Sequence, residues 1–395
     1  MRRALMLALA ACTLVPAQRI VNPNRLRGLV EQLEGGHAGE PALRCQVSAI
    51  KPSLNFGFRY QSGYTVTVPM NQYFGSGHRW TVLVRITPEG GARKPIYLIS
   101  EIALPPVPKN YGEAGVGGGY LLGEGVYDVR WMMLDDAGRV FRKTWRLDVH
   151  LSRADRLVKV AMPPDTVGEL VLRGSRPLPL ETGDAVTRRL TIFLHVAPLF
   201  PQRTRLRYGD VMTLMSTVSS LMEQVPARSV RLVLFNLDQQ KELYRKEDFL
   251  LRDMAQVFQT MSRIELGKVD IQVLQNKRGY VDLLADLVNR EIEAQPASDV
   301  VLFLGPQTRY NDHMPPSVLE KPPGHGPEFY DFQILPVLRP LVTRGDTIQI
   351  SPVVTMPDTI QSAVSRLGGK TMTIHTPGEF AKAIERMEKA GRGTP

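Results

Sequence analysis

Cysteine, long apolar runs and blocks of basic residues are all scarce in this sequence, and each scarcity excludes a class of protein. The 395 residues include 2 cysteines, Cys12 and Cys45, so no internal disulfide is possible if the N-terminal segment is cleaved. After the N-terminus, no stretch is long and apolar enough to be a transmembrane helix. The 49 lysines and arginines exceed the 39 acidic residues but form no block, which argues against a nucleic-acid partner.

Catalytic and metal-binding motifs are scarce as well. The 7 histidines are scattered, with no His-Glu-x-x-His pattern, and the cysteines are not paired at metal-ligand spacing. No Gly-x-Ser-x-Gly elbow is present, and no Walker loop or dinucleotide fingerprint follows a predicted strand. We therefore predict that the protein is not an enzyme and needs no cofactor.

The N-terminus has the pattern of an export signal. Within residues 1–17, two arginines precede an apolar segment, and Val15-Pro16-Ala17 offers small residues for cleavage. A second interpretation stays open, because Leu9-Ala10-Ala11-Cys12 resembles the lipobox of bacterial lipoproteins. We therefore predict a secreted or periplasmic protein, held at a membrane only if Cys12 is lipidated.

The length and the change of pattern along the chain indicate two domains. The predicted segments are a signal peptide at 1–17, a leader at 18–40, an all-β sandwich at 41–150, a linker at 151–187, an α/β domain at 188–390 and a tail at 391–395.

The first domain contains short strands at the spacing of a β-sandwich. Its clearest hairpin joins residues 125–131 to 140–149 through the turn Asp135-Asp136-Ala137-Gly138. The pattern Gly-x-Tyr-x-Val at 125–129 resembles a late strand of immunoglobulin-like domains, in which the tyrosine packs a corner. The proline- and glycine-rich stretch 104–119 predicts a flexible loop between strands. Cys45 lies at a predicted strand start, which favours a packed side chain over a nucleophile.

The second domain begins with Arg189–Pro198, a strand that is apolar along most of its length and stops at a proline. Buried strands then alternate with amphipathic helices. Asp210 and Asp358 are candidate helix caps, and Thr376-Pro377-Gly378-Glu379 is a capping box. This alternation predicts a doubly wound, mostly parallel sheet with helices on both faces. Ligands of such sheets bind beyond the carboxyl ends of the strands.

The order of these elements resembles a von Willebrand factor type A domain. The residues that carry the resemblance are Leu190–Pro198, Val300–Gly305 and the C-terminal run from Asp358 to Phe380. The whole chain is also similar to exported bacterial proteins that contain such a domain. The resemblance implies a Rossmann-type fold and a metal site that holds its cation with Asp-x-Ser-x-Ser after the first strand and an Asp after the fourth.

The positions that match this metal motif carry other residues. His195 stands for the first aspartate, Ala197 and Leu199 for the serines, and Gly305 for the second aspartate. None offers a carboxylate or a hydroxyl, so we predict a metal-free domain. In an alternative, His195 begins a different site with His313 or His325, as part of a metal-dependent adhesion module with atypical ligands.

The long segment Gly305–Pro336 leaves the sheet beside this position and is rich in proline and aromatic residues. Loops of this length are usually functional or mobile, and aromatic side chains can anchor a partner. In the alternative interpretation the segment is a solvated insertion followed by a strand at 329–335. We predict partner binding by His195, Ala197, Gly305, Tyr310, His313 and His325.

The sequence therefore predicts an exported binding or scaffold protein whose partner is a protein or a cell-envelope polymer. The competing hypothesis is an envelope hydrolase that uses His195 and loop residues as catalysts.

Overall fold

The computed structural model describes residues 18–35, 41–91, 94–108, 112–170, 188–264, 273, 275–320, 326–336, 342–343, 346–347 and 357–390. The predicted signal peptide with Cys12, residues 171–187 of the predicted linker, His325 and the tail at 391–395 lie outside these residues. No helix in the described ranges combines the length and the apolar character needed to cross a membrane.

The chain divides into two compact units. The first comprises Met1–Leu54, Arg59–Leu151 and Val160–Val171, and the second comprises Asn55–Phe58, Ser152–Lys159 and Leu172–Pro395.

The first unit contains two antiparallel sheets. A five-stranded sheet has the order β1-β5-β4-β7-β8, and a four-stranded sheet has the order β2-β3-β6-β9. The elements are β1 (Arg19–Val21), α1 (Arg27–Gly35), β2 (Gln46–Leu54), β3 (Tyr60–Pro69), β4 (Arg79–Pro88), β5 (Ile96–Ala103), β6 (Glu113–Leu122), β7 (Gly125–Asp135), β8 (Val140–Val149) and β9 (Val167–Glu169).

One hydrophobic cluster takes side chains from both of these sheets. Tyr64 of β3 meets Trp131 of β7 edge to face, with the ring centroids 5.4 Å apart. Cys45 is half-buried against the same cluster, and its burial raises the pKa of the thiol to about 11. A thiol that stays protonated is a poor nucleophile, in line with the predicted packing role of Cys45.

The predicted hairpin is confirmed as β7 and β8, which pair over their whole length. The turn is stabilised by Asp135, whose carboxylate accepts the backbone N–H groups of Ala137 at 3.0 Å and Arg139 at 2.9 Å. Tyr127 is fully buried, and its hydroxyl donates to the Gly123 carbonyl at 2.9 Å. This bond to the backbone four residues upstream fixes the bend between β6 and β7.

The prediction of a flexible loop over 104–119 is wrong in its glycine-rich half. Residues 113–119 belong to β6, which pairs with β3 along its length. A Cβ atom on Gly118 would lie 2.2 Å from the hydroxyl oxygen of Tyr64. The absent side chain makes room for a core tyrosine, so these glycines serve a strand instead of a turn.

The second unit is organised around a six-stranded mixed sheet with the order β12-β11-β10-β13-β14-β17. All its neighbouring strands are parallel except β12, which runs antiparallel to β11. The elements are β10 (Arg189–His195), α2 (Tyr208–Gln224), β11 (Ser229–Asn236), β12 (Lys241–Lys246), α3 (Met254–Ser262), α4 (Gly279–Ile292), β13 (Val300–Gly305), β14 (Glu328–Ile334), the short pair β15 (Val342–Thr343) and β16 (Asp346–Thr347), α5 (Thr359–Arg366), β17 (Lys370–Ile374) and α6 (Pro377–Ala390).

Helices cover both faces of this sheet. On one face, Phe193 and Phe303 stack with centroids 5.0 Å apart, in a cluster that includes apolar residues of α4 and α5. On the other face, Phe332 of β14 packs against Phe380 of α6. Every residue of β13 is buried, and each large apolar side chain buried in this way stabilises the fold by about 1.5–3 kcal/mol.

Two of the three predicted helix starts are confirmed. Asp358 caps α5 by accepting the Gln361 N–H at 2.9 Å, and Thr376 and Glu379 form the reciprocal bonds of a capping box at 3.2 Å each. Asp210, predicted to cap α2, lies instead in its first turn, because the helix begins at Tyr208. Its carboxylate reaches back to the N–H of Arg207 at 2.8 Å.

Candidate functional site

The strands β10 and β13 form the topological switch point of the mixed sheet. The chain passes from β10 to β11 on one side, and from β13 to β14 on the other. Crevices at such points are where open α/β sheets bind ligands. Two of the predicted site residues, His195 and Gly305, are the last residues of these two strands.

The backbone of Gly305 lies directly against His195. A Cβ atom on Gly305 would lie 2.6 Å from the carbonyl oxygen of His195, and the residue has φ +150°, which favours glycine. Ala197, also predicted for the site, is buried next to them and donates its N–H to the same carbonyl at 3.2 Å. The structure therefore brings these three residues together, but as a closed contact.

His195 itself is buried, with 3% of its surface exposed. Burial lowers the pKa of the imidazole below its usual 6.5, so the ring is neutral at pH 7. Its Nδ1 lies 3.1 Å from the Pro306 carbonyl, which can only accept, so we assign the proton to Nδ1. Nε2 is buried and has no hydrogen-bond partner within the described part of the chain. Among the described residues, no carboxylate or hydroxyl is hydrogen-bonded to the ring, although the charge of Asp238 acts against the lowering of its pKa.

The loop after β13 is shorter than the predicted 305–336, because β14 begins at Glu328. The alternative interpretation of 329–335 as a strand is therefore the right one. The described part of the loop is fixed to α4 and α5: Met314 donates its N–H to Ser362 Oγ at 2.9 Å, and Asn289 donates to the Val318 carbonyl at 2.9 Å. His313 is exposed on this loop.

A group of charged and aromatic residues, which we call the carboxyl-edge cluster, follows β11 and β13. Arg309 pairs with Asp238, with Nε and Oδ1 2.8 Å apart, and half of the arginine side chain is exposed. Tyr310 stacks on Tyr280 with the centroids 4.0 Å apart and the rings nearly parallel, and the Tyr280 hydroxyl donates to Asp312. Tyr310 was predicted for the site, but the other four residues of this cluster were not.

Two buried carboxyl groups lie deeper in the carboxyl half of the sheet. Asp331 of β14 is 3% exposed, and its Oδ2 has no hydrogen-bond partner among the described residues. Asp358 accepts the N–H of Thr308 at 2.8 Å as well as capping α5. Desolvation, together with the charge of Asp358, raises the pKa of Asp331 well above its usual range. The surroundings of Asp331 therefore favour its protonated form over the carboxylate.

The residues at the switch point do not fit the cation that the family resemblance implies. A hard divalent ion needs several converging oxygen ligands, whereas His195, Ala197 and Gly305 offer a neutral imidazole, a methyl group and no side chain. Over the described ranges, no group of three or more His, Cys, Asp or Glu side chains could hold a metal ion.

Comparisons with known proteins add little to this description. No protein-family model matches the chain, and no curated protein does either. A superoxide reductase (neelaredoxin) from Ignicoccus hospitalis is 16% identical over 27% of this chain and 80% of its own, with a TM-score of 0.20. A candidate ApaA protein from Bordetella pertussis is 13% identical over 29% of this chain and 99% of its own, with a TM-score of 0.21. Likenesses this weak carry no functional argument.

Proposed function

We propose that the chain is an exported, non-enzymatic binding or scaffold protein. Its second unit would be a von Willebrand A-like domain that works without the family's metal, and its first unit an immunoglobulin-like sandwich. The partner in this proposal is a protein that contacts the carboxyl edge of the mixed sheet.

The strand order supports the domain assignment. The sheet has the order β12-β11-β10-β13-β14-β17. Its central neighbours, β10 and β13, are the first and fourth strands of the unit along the chain, and β12, the third, is an antiparallel edge strand. This is the doubly wound order that reverses at β10 and β13. In the first unit, the shared core of the two sheets and the Tyr127 bond to Gly123 support the sandwich assignment.

The packing of Gly305 on His195 carries the functional proposal. The close approach of Gly305 to the His195 carbonyl leaves no room for a ligand atom between the ends of β10 and β13, while Arg309 and Tyr310 lie at the same edge with part of their surface exposed. Arginine and tyrosine are enriched among residues that dominate binding energy at protein interfaces. The edge therefore suits a macromolecular partner better than a small substrate.

Site-specific photo-crosslinking in the cells that make the protein tests the proposal. A photoreactive amino acid replaces Arg309 in one variant and Arg366, at the C-terminal end of α5, in the matched control. We expect a discrete protein adduct at position 309 and none at 366. Adducts at neither position, or equal adducts at both, would contradict a binding edge around Arg309.

Export is tested separately by cell fractionation. Recovery in the periplasm or the medium, with residues 1–17 removed, would support the proposal. Recovery with lipid on Cys12 would show that the exported protein is anchored to a membrane through this residue. Recovery in the cytoplasm would overturn export.

A further inference from the structure

The loop between β10 and α2 carries an unusual set of side chains. Residues 199–207, which we call the arginine loop, have the sequence Leu-Phe-Pro-Gln-Arg-Thr-Arg-Leu-Arg. Three arginines occupy alternate positions, and the loop contains no lysine and no acidic residue. It follows the carboxyl end of β10, so it lies at the same edge of the sheet as Gly305.

This loop is held in place by one buried carboxylate. Asp210 is 3% exposed, and its two oxygens accept the backbone N–H groups of Arg207 at 2.8 Å and Leu199 at 3.4 Å, one from each end of the loop. Within the loop, the N–H of Arg203 bonds to the Phe200 carbonyl at 3.0 Å, and its guanidinium lies over the Phe200 ring at 4.0 Å. A loop fixed in this way loses little entropy on binding.

The positive charge of the loop is largely uncompensated. Arg205 and Arg207 are exposed, and neither forms an ion pair with the described residues. Arg203 lies 3.7 Å from Asp210, but that carboxylate is buried and already occupied by backbone donors. The loop therefore presents two guanidinium groups that pair with no described carboxylate, on a backbone held by hydrogen bonds, beside Tyr208, which is 63% exposed.

We infer that the arginine loop binds an acidic segment of the partner protein. This inference rests on the proposed function, since it names the chemistry that the carboxyl edge recognises. Guanidinium groups pair with carboxylates through two parallel hydrogen bonds, which an ammonium group cannot do. The use of arginine only, together with an exposed tyrosine, is typical of a protein interface. An anionic membrane surface is the competing occupant.

A binding titration with the full chain tests the inference. The probe is a fluorescein-labelled deca-glutamate peptide followed by anisotropy at low ionic strength, with deca-glutamine as the uncharged control. We expect R205E/R207E to weaken binding roughly tenfold or more, because two attractive charges become repulsive. R205K/R207K keeps the charge but loses the fork geometry, and we expect binding roughly threefold weaker.

The matched control is R252E/R366E, the same change of net charge at two other exposed arginines of the second unit. All variants are first compared by thermal melting, so that loss of the fold is not read as loss of binding. Unchanged binding by R205E/R207E, or equal weakening by the control pair, would overturn the inference. So would binding to phosphatidylserine vesicles that depends on Arg205 and Arg207 without binding to the peptide. If crosslinking at position 309 succeeds in these cases, the proposed function stands without the acidic segment.

Discussion

Two buried acids in the mixed-sheet unit differ in the hydrogen-bond and ion-pair partners that surround them. Glu291, near the amino edge of the sheet, is 1% exposed and accepts from Thr191 at 2.7 Å, from Ser298 at 2.8 Å and from the guanidinium of Arg231. Asp331, in the carboxyl half, is 3% exposed, and its Oδ2 has no partner among the described residues. The charged group that acts on it is another acid, Asp358.

The comparison distinguishes two regions by how fully their buried polar groups are hydrogen-bonded. Around Glu291, the buried polar groups are hydrogen-bonded to one another, as in most native protein interiors. In the carboxyl half, Asp331 Oδ2 and His195 Nε2 have no hydrogen-bond partner among the described residues, and the Arg309 side chain is half exposed. Unsatisfied groups of this kind tend to concentrate where a protein has a task besides stability.

The largest expected effect is at the amino edge. Substituting Arg231→Met removes the guanidinium that is bonded to the buried Glu291 carboxylate, which should destabilise the protein by about 3–5 kcal/mol. Urea unfolding measures the difference. Arg130→Met is the control, because its ion pair with Glu34 is partly exposed and should contribute about 1 kcal/mol or less. Equal losses in both variants would remove the distinction between the two kinds of ion pair.

The switch point should be the next most sensitive place. In Gly305→Ala, the new methyl group would clash with the His195 carbonyl at a φ that alanine rarely adopts, at a cost of about 2–3 kcal/mol. Gly368→Ala also has a positive φ, +74°, but has open space around it, so we expect about 1 kcal/mol. Thermal melting compares them, and a Gly305→Ala variant as stable as wild type would mean that the crevice is not closed.

The buried acid of β14 should give stability a pH dependence. Since the pKa of Asp331 is raised in the folded state, the folded protein binds the proton more tightly than the unfolded chain does. This contribution is complete below the ordinary value of 3.8 and is lost as the pH rises through the folded pKa. The Asp331→Asn variant should not lose this stability as the pH rises. Its free energy of unfolding relative to that of the wild type should therefore increase with pH.

Urea midpoints measured from about pH 4 to pH 8 test this prediction by its sign. Asp286→Asn, which changes an exposed carboxylate on α4, is the matched control for the loss of one carboxyl group. Parallel curves for Asp331→Asn would show that Asp331 is ionised in the fold, and the contrast with Glu291 would disappear.

The smallest effect on folding is expected in the carboxyl-edge cluster. Arg309→Ala removes a half-exposed ion pair with Asp238 and should change the free energy of unfolding by less than about 1 kcal/mol. The same substitution should reduce partner capture, measured by crosslinking from a neighbouring position. A large loss of stability would instead place Arg309 among the residues that hold the fold together.

Local signals in the sequence predicted the parts of the fold that depend on neighbouring residues. The Asp358 cap, the capping box at Thr376 and Glu379, and the β7–β8 hairpin follow from spacing within a few positions. The strand β6 could not be predicted from local sequence, because its Gly118 leaves room for the ring of Tyr64, which is more than fifty residues away in sequence. The position of Asp210 was predicted wrongly for a related reason. An aspartate near a helix start can cap the helix or, from the first turn, accept the N–H of the residue before it.

For the candidate site too, general rules predicted some features, while features that depend on contacts between distant segments could not be predicted. The general rule for α/β sheets was enough to predict that His195 and Gly305 lie at one edge. It could not predict that they close the crevice, since this depends on a backbone contact across two strands. The pairing of Asp238 with Arg309 and of Tyr280 with Tyr310 joins distant segments, and only an alignment or a structure reveals such pairs.

The most direct test of a metal-free binding edge is a thermal titration of the whole protein with Mg²⁺, Mn²⁺ and Ca²⁺. A cation that binds only the folded state must raise the melting temperature, by an amount that corresponds to about 2.7 kcal/mol at a hundred times its Kd. We expect no saturable shift with any of the three ions. A saturable shift would contradict the account, and its loss in Asp331→Asn would locate the cation at the buried carboxyl groups of the carboxyl half.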